Sequence, residues 1–407
     1  MTKQRYFTYI LILGLLTALG PFSIDMYLPG FNDIAHSLGT SAATVSLSLS
    51  SYFIGISLGQ LLYGPLLDRH GRKKPLYAGL VLYILSSALC MRAQDINILI
   101  ILRFVQAVGS CAAAVASMAM VRDLFGVKES AKVFSLLLLV VGASPMIAPT
   151  AGGYIVSLYG WRTVFLVLLI LGVLITLLSI FFLPESHRPD PSFSLKPRPI
   201  IKNFLSVLKH PQFLIYVLVE ALAFAGLLAY VSGSPVVFMD IFRVDKKTYG
   251  WIFAGLSVAF IGLSQFNGLL LRKYSSQQIV RVALTGQVVV TVIFLAGNMA
   301  GWYGLPHTIF FIALFLACLG FTNPNAAALA LAPFSKNAGT AAALLGALQM
   351  GIGAIASIGV SAFSNGTSTP MIAVMAVTSL LAMGILVAGT KAIAPQDFPA
   401  APSGSDR

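Results

Sequence analysis

Three ionisable residues stand in stretches of sequence otherwise suited to hydrocarbon: Asp25 in SIDMYLPGF, Arg103 in LRFVQAVGS and Glu220 in VLVEALAF. Burying one charge at the centre of a bilayer costs on the order of 3 kcal/mol or more, so such groups serve proton or ion carriage, substrate binding or a buried ion pair. An acid there can exchange its charge for a proton, and a fixed arginine nearby can govern when it does. His36, His70, His187, His210 and His307 all fall in loops or at predicted helix ends, so the proton carrier would be a carboxylate. Cys90, Cys111 and Cys318 are odd in number and widely spaced, which implies neither a disulfide framework nor a metal cluster. No HExxH motif and no pair of acids with a histidine at membrane depth is present, so an enzyme is not expected.

The elements that hold these residues follow from composition. Charged residues make up 10% of the 407 and apolar types 57%, against roughly 25% charged in soluble domains. A spanning helix needs ~20 mostly apolar residues. Twelve such runs are predicted at 7–29, 44–66, 75–93, 96–121, 131–156, 162–183, 212–238, 248–271, 278–299, 307–332, 338–363 and 370–392. The first is read as a retained span, because no small-residue cleavage site follows it. The Pro- and Lys/Arg-rich stretch 184–210 reads as a linker. The expected fold is all-α and transmembrane, with twelve helices in two pseudo-symmetric six-helix bundles, 1–183 and 211–393, and a disordered tail, 394–407. Asn323-Pro324-Asn325 is expected to break the tenth span.

Orientation comes from Lys and Arg. With the N-terminus inside, twenty of the 26 fall in inner connections, five in outer ones, and Arg103 lies in a span. This bias places both termini in the cytoplasm. It also accounts for the net charge of +13 without nucleic acid. The halves repeat: GPLLDRHGRKKP from Gly64 and GLLLRKYSSQQI from Gly268 are 204 residues apart, as are Gly142 and Gly346. Paired halves with a site between them near the midplane are a recurring transporter plan.

Arg103 sits about 10 Å into its helix at 1.5 Å per residue, level with Asp25, so the two are expected to pair. A static ion pair joining helices 1 and 4 is the structural alternative. Gln106, Ser110 and Ser117 share the face of Arg103, and Thr17 and Pro21 stack under Asp25. Glu220 lies about 12 Å deep in helix 7.

The segment Gly64-Pro-Leu-Leu-Asp68-Arg69-His-Gly71-Arg72-Lys73 carries every element of GxLxDRxGRK and resembles the loop signature of the major facilitator superfamily. Gly71 permits a tight turn and Asp68 can meet a helix N-terminus. The resemblance implies a cytoplasmic latch between the halves, whose basic residues engage Asp123 in MVRDLF. RFVQAVGS, with Arg103, Gln106 and Gly109, is similar to the helix 4 motif RxxQGxG, with Ala107 in place of its first glycine. GASPMIAPTAGG, with Pro145, Pro149, Gly152 and Gly153, resembles the helix 5 motif of antiporters, with Ala148 in place of a glycine. SIDMYLPGF and SGSPVVF add a resemblance to Bcr/CflA-type, bicyclomycin-resistance-like drug:proton antiporters over nearly the whole chain. That resemblance implies an exporter of small drug-like molecules in the bacterial inner membrane, using protons and no other cofactor; a monomer is expected. It ties Asp25 and Arg103 to coupling; Glu220 is a further candidate from its depth in the span alone, without support from the resemblance. Tyr27, Tyr52, Gln106, Met146, Phe224, Tyr230 and Gln349 are the candidate substrate contacts. A proton-coupled symporter of a sugar or metabolite, and a non-transporting receptor or scaffold, remain as alternatives.

Overall fold

Every element in the computed structural model, which describes residues 3–190, 195–334 and 337–390, is helical. The long helices are α1 (Lys3–Asp25), α2 (Ala42–His70), α3 (Lys73–Cys90), α4 (Ile96–Leu124), α5 (Val127–Tyr159) and α6 (Arg162–Phe182), then α7 (Pro211–Pro235), α8 (Lys246–Ser264), α9 (Ser276–Met299), α10 (Leu305–Leu331), α11 (Ala338–Ala362) and α12 (Thr369–Thr390). A helix satisfies its own backbone, which hydrocarbon demands because it offers no water to do so. Among the described residues, eleven helices are long and apolar enough to cross a bilayer. The exception is α3, whose 18 residues open on Lys73-Lys74. It still runs through the same layer. Residues rising along α3 meet residues falling along α4: Gly79 lies on Ala112 and Tyr83 on Gly109, and Ser87 accepts from Gln106. By contrast α2 and α4 rise together, with Ser51 donating to the Ile100 carbonyl and Gly59 lying on Cys111.

Two elements differ from the sequence expectation. The tenth span is not broken: α10 passes through Pro324 without interruption. Proline removes one N–H, and the following turns close around the gap. Within 184–210 a helix, Pro197–Leu208, follows the end of α6. The tail 394–407 lies outside the described residues.

Helix ends form two faces. The termini face carries the start of α1, the 71–72 turn and the segment after α6; the far face carries 26–41, 91–95 and 242–245. Contacts between residues 3–182 and residues 211–390 run along two seams. In one, α2 meets α11: Ser46 bonds Ser361, Ser50 shares a 2.6 Å bond with Ser357, and Ser57 donates to the Ala347 carbonyl at 2.7 Å. In the other, α5 meets α8, with Thr150 donating to the Gly250 carbonyl at 3.2 Å. The repeated glycines fall in matching places, Gly142 against Ile261 and Gly346 against Gln60. At the far face Lys246 pairs with Asp33 at 2.6 Å, Asn32 donates to Asp240 at 2.5 Å, and Lys247 lies 5.2 Å from the Tyr154 ring centre.

Candidate functional site

Arg103 is fully buried in α4. Its guanidinium donates to Gln106 Oε1 at 2.6 Å and to the Ser23 carbonyl at 2.8 Å. That carbonyl lies in the last turn of α1, where main-chain acceptors lack helical partners. The helix stops there because Pro29 has no N–H to give the Asp25 carbonyl. The rings of Tyr52 and Tyr27 flank the cation at 4.3 and 4.7 Å, and Phe165 lies at 5.8 Å. Ring faces attract a desolvated cation by up to about 2 kcal/mol or more. The surrounding hydroxyls are also committed. Tyr52 bonds Ser110 at 2.7 Å, Tyr27 bonds Ser48 at 2.6 Å, Tyr83 bonds Ser23 at 2.7 Å, and Gln106 donates to Ser87 at 2.7 Å. Lower down, Thr17 donates to Ser117 at 3.0 Å.

Asp25 does not pair with Arg103, contrary to the expectation from depth. Helical depth fixes a level and leaves direction around the axis open. The guanidinium bonds the main-chain oxygen of Ser23, two residues earlier, instead. Asp25 is 5% exposed, and no hydrogen bond or ion pair reaches its carboxylate among the described residues. It lies within electrostatic range of the buried Tyr230 and Tyr249 hydroxyls of α7 and α8. Tyr249 shares a 2.8 Å bond with Ser234, whereas the Tyr230 hydroxyl has no partner among the described residues. Asp25 therefore sits on the boundary between the halves. Gly152 of α5 packs on the Met26 carbonyl beside it, and Gly153 packs on the Lys246 carbonyl. A side chain at either glycine would force the helices apart. Pro145 and Pro149 lie within an unbroken α5.

Glu220 is 1% exposed in α7. Its Oε1 accepts from Asn323 of α10 at 3.0 Å and from Gln349 of α11 at 2.6 Å. Its Oε2 is buried and has no partner among the described residues. Phe224, one turn further along α7, is half-buried, as is Met146 in α5.

At the termini face the 71–72 turn is built as an ionic knot. Gly71 has φ +81°, a conformation open to glycine and strained for other residues. Arg72 bonds Asp68 at 2.7 Å and Asp123 at 2.8 Å. Partial burial of the guanidinium works against its charge, but the bonds to Asp123 and Asp68 prevail and hold its pKa above the ordinary arginine value. Asp68 does not meet the N-terminus of α3. Glu185 does, accepting from the backbone N–H groups of Arg72 at 2.8 Å and Lys73 at 3.0 Å. Lys73 Nζ donates to the Leu183 carbonyl at 2.8 Å, and Ser186 donates to Asp123 at 2.9 Å. These bonds tie α2, α3 and α4 to the segment after α6. Arg69 and Gly64 are half-buried on the last turns of α2.

Sequence reading missed Glu185, and it named Asn323 and Gln349 without joining either to Glu220. The acid in PESHRPD, directly after an apolar run, was the available signal for Glu185. Nothing in the sequence joins residues 220, 323 and 349.

The Major Facilitator Superfamily profile matches residues 13–357. The "Uncharacterized MFS-type transporter YdgK" of Bacillus subtilis (strain 168) is 35% identical, over 93% of this chain and 94% of that protein. The "Bicyclomycin resistance protein homolog" of Haemophilus influenzae is 33% identical, over 92% and 94%. "Multidrug resistance protein MdtL" of Klebsiella pneumoniae is 31% identical, over 86% of each chain. Among solved structures, a bacterial homologue of the human lysosomal transporter Spinster, inward-facing and occupied, aligns with TM-score 0.77 at 15% identity over 99% of this chain and all of that one. A D-xylose–proton symporter aligns with TM-score 0.72 at 14% identity over 94% and 97%; at such identities both speak for the fold alone. Two seamed halves of apolar helices, with buried charge at their boundary, are thus the membrane-embedded body of a transporter rather than an enzyme, and the chain belongs to the major facilitator superfamily.

Proposed function

We propose that the protein is a proton-coupled antiporter that exports small drug-like molecules across the bacterial inner membrane. The observation that carries this reading is Asp25: a carboxylate without a bonded partner among the described residues, enclosed at the boundary of the halves, two residues from the Ser23 carbonyl that a buried arginine holds. Relatives named for bicyclomycin and multidrug resistance supply the cargo class. In this reading the chain makes twelve crossings as a monomer, in two six-helix bundles with both termini cytoplasmic, because the basic residues gather at the termini face. Lys73 and Lys74 then reach headgroup level from the inner end of α3.

The far-face links close the outer side. When the α5–α8 seam opens, Asp25 meets outside water and takes a proton. Neutralising it alters the field at Tyr230 and Tyr249 and at the last turn of α1, which Arg103 holds through Ser23. Cargo then leaves. Closure and inward opening release the proton to a higher pH. The membrane potential supplies about 2.3 kcal/mol per charge per 100 mV, and a pH unit adds roughly 1.4. One proton therefore supports about a thousandfold gradient of a neutral solute. Phe224, Met146, Tyr230 and Gln349 offer cargo adaptable apolar surface with one amide. Tyr27, Tyr52 and Gln106 act through Arg103, and Glu220 is a secondary proton or cargo contact.

Accumulation of bicyclomycin in cells with and without the protein tests the reading. Export predicts lower accumulation that a protonophore restores to control level. Raised accumulation would indicate a symporter, and no difference a non-transporting role.

A further inference from the structure

The helix Pro197–Leu208 has three faces of different character. Val207 is buried, and Phe204 and Leu208 pack on the core, where the helix touches α7 and α11. Next around the axis come Ile201 and Leu205, one turn apart and 53% and 49% exposed. At 100° per residue, Arg198, Lys202 and Lys209 fall on one stripe directly beside that pair. All three are exposed. No acidic residue occurs between Asp190 and Glu220 to balance them. The helix runs into α7 through only Lys209 and His210, so it is held where a crossing helix leaves the bilayer.

We propose that this helix lies on the membrane surface and binds anionic phospholipid headgroups. An apolar pair bordered by a basic stripe fits the boundary between acyl chains and phosphates. Ile201 and Leu205 dip below the phosphates, and Arg198, Lys202 and Lys209 reach them along flexible stems. A soluble acidic protein would match the charge and leave the exposed apolar pair unused. The docked face transmits the contact to α7, which carries Glu220, and to α11, which carries Gln349.

The test is a titration of the full-length protein in neutral detergent with phosphatidylglycerol or phosphatidylcholine, with bound lipids counted by native mass spectrometry. The native protein should prefer phosphatidylglycerol. In a variant combining Arg198→Gln, Lys202→Gln and Lys209→Gln, that preference should fall about a hundredfold while phosphatidylcholine binding stays unchanged. The charge-conserving pair Arg198→Lys and Lys202→Arg should keep the preference, which separates lost charge from lost folding. An equal preference in the native and neutralised proteins, or an equal loss of both lipids in the neutralised protein, would overturn the proposal.

Discussion

The two halves bury their central ionisable group in opposite ways. In the first half both terminal nitrogens of Arg103 are bonded, one to an amide oxygen and one to a main-chain carbonyl, and three rings pack around the guanidinium, with its Nε left unbonded among the described residues. In the second half Glu220 is held on one oxygen only, and its other oxygen faces nothing that bonds it. The first arrangement fixes a charge in one position. The second keeps an acceptor in reserve, at a cost of about 1–3 kcal/mol for an unsatisfied buried group. Asp25 stands between them, with the fixed charge on one side and α7 and α8 on the other. A transporter needs such an asymmetry, because a switch works against a reference that does not move.

The largest effect belongs to the fixed side. Arg103→Met is expected to lower uphill export at least a hundredfold in vesicles. It should also cost about 2 kcal/mol of stability, as two charged hydrogen bonds are lost against the relief of one buried charge. A smaller effect is expected for Tyr52→Phe, which keeps the ring over the guanidinium and loses the bond to Ser110, costing about 1 kcal/mol. Thermal unfolding of both variants against the native protein checks this order. The smallest effect belongs to Glu220→Gln. Its remaining oxygen still accepts from Asn323 and Gln349, so stability should move by less than about 1 kcal/mol and export by less than tenfold. Export abolished by Glu220→Gln in the same vesicle assay would break the comparison and make the second half an equal partner in coupling.

The helical elements were legible because a run of about 20 apolar residues has few other solutions. Ends were less so: α1 stops at Asp25 rather than 29, where Pro29 withdraws a donor and a tight turn follows. The helix at Pro197–Leu208 was hidden by flanking prolines, although Ile200, Ile201, Phe204, Leu205 and Leu208 already repeat at a helical period. At the site, sequence singled out the charged residues, since charge in hydrocarbon is rare. Their partners were not readable. Which way Asp25 turns, that Arg103 bonds a carbonyl, and that Asn323 and Gln349 converge on Glu220 depend on rotation about helix axes and on contacts 80 to 129 residues apart. The same holds for Glu185, whose role at the start of α3 rests on a bond across 113 positions.

The most direct measurement is drug export by Asp25→Asn in inside-out vesicles under an imposed pH gradient. The amide keeps the shape of the carboxyl and cannot exchange a proton. Concentrative transport should vanish while equilibrium binding of a neutral drug persists. Uphill transport at the native rate by that variant would contradict the assignment of Asp25 as the proton carrier.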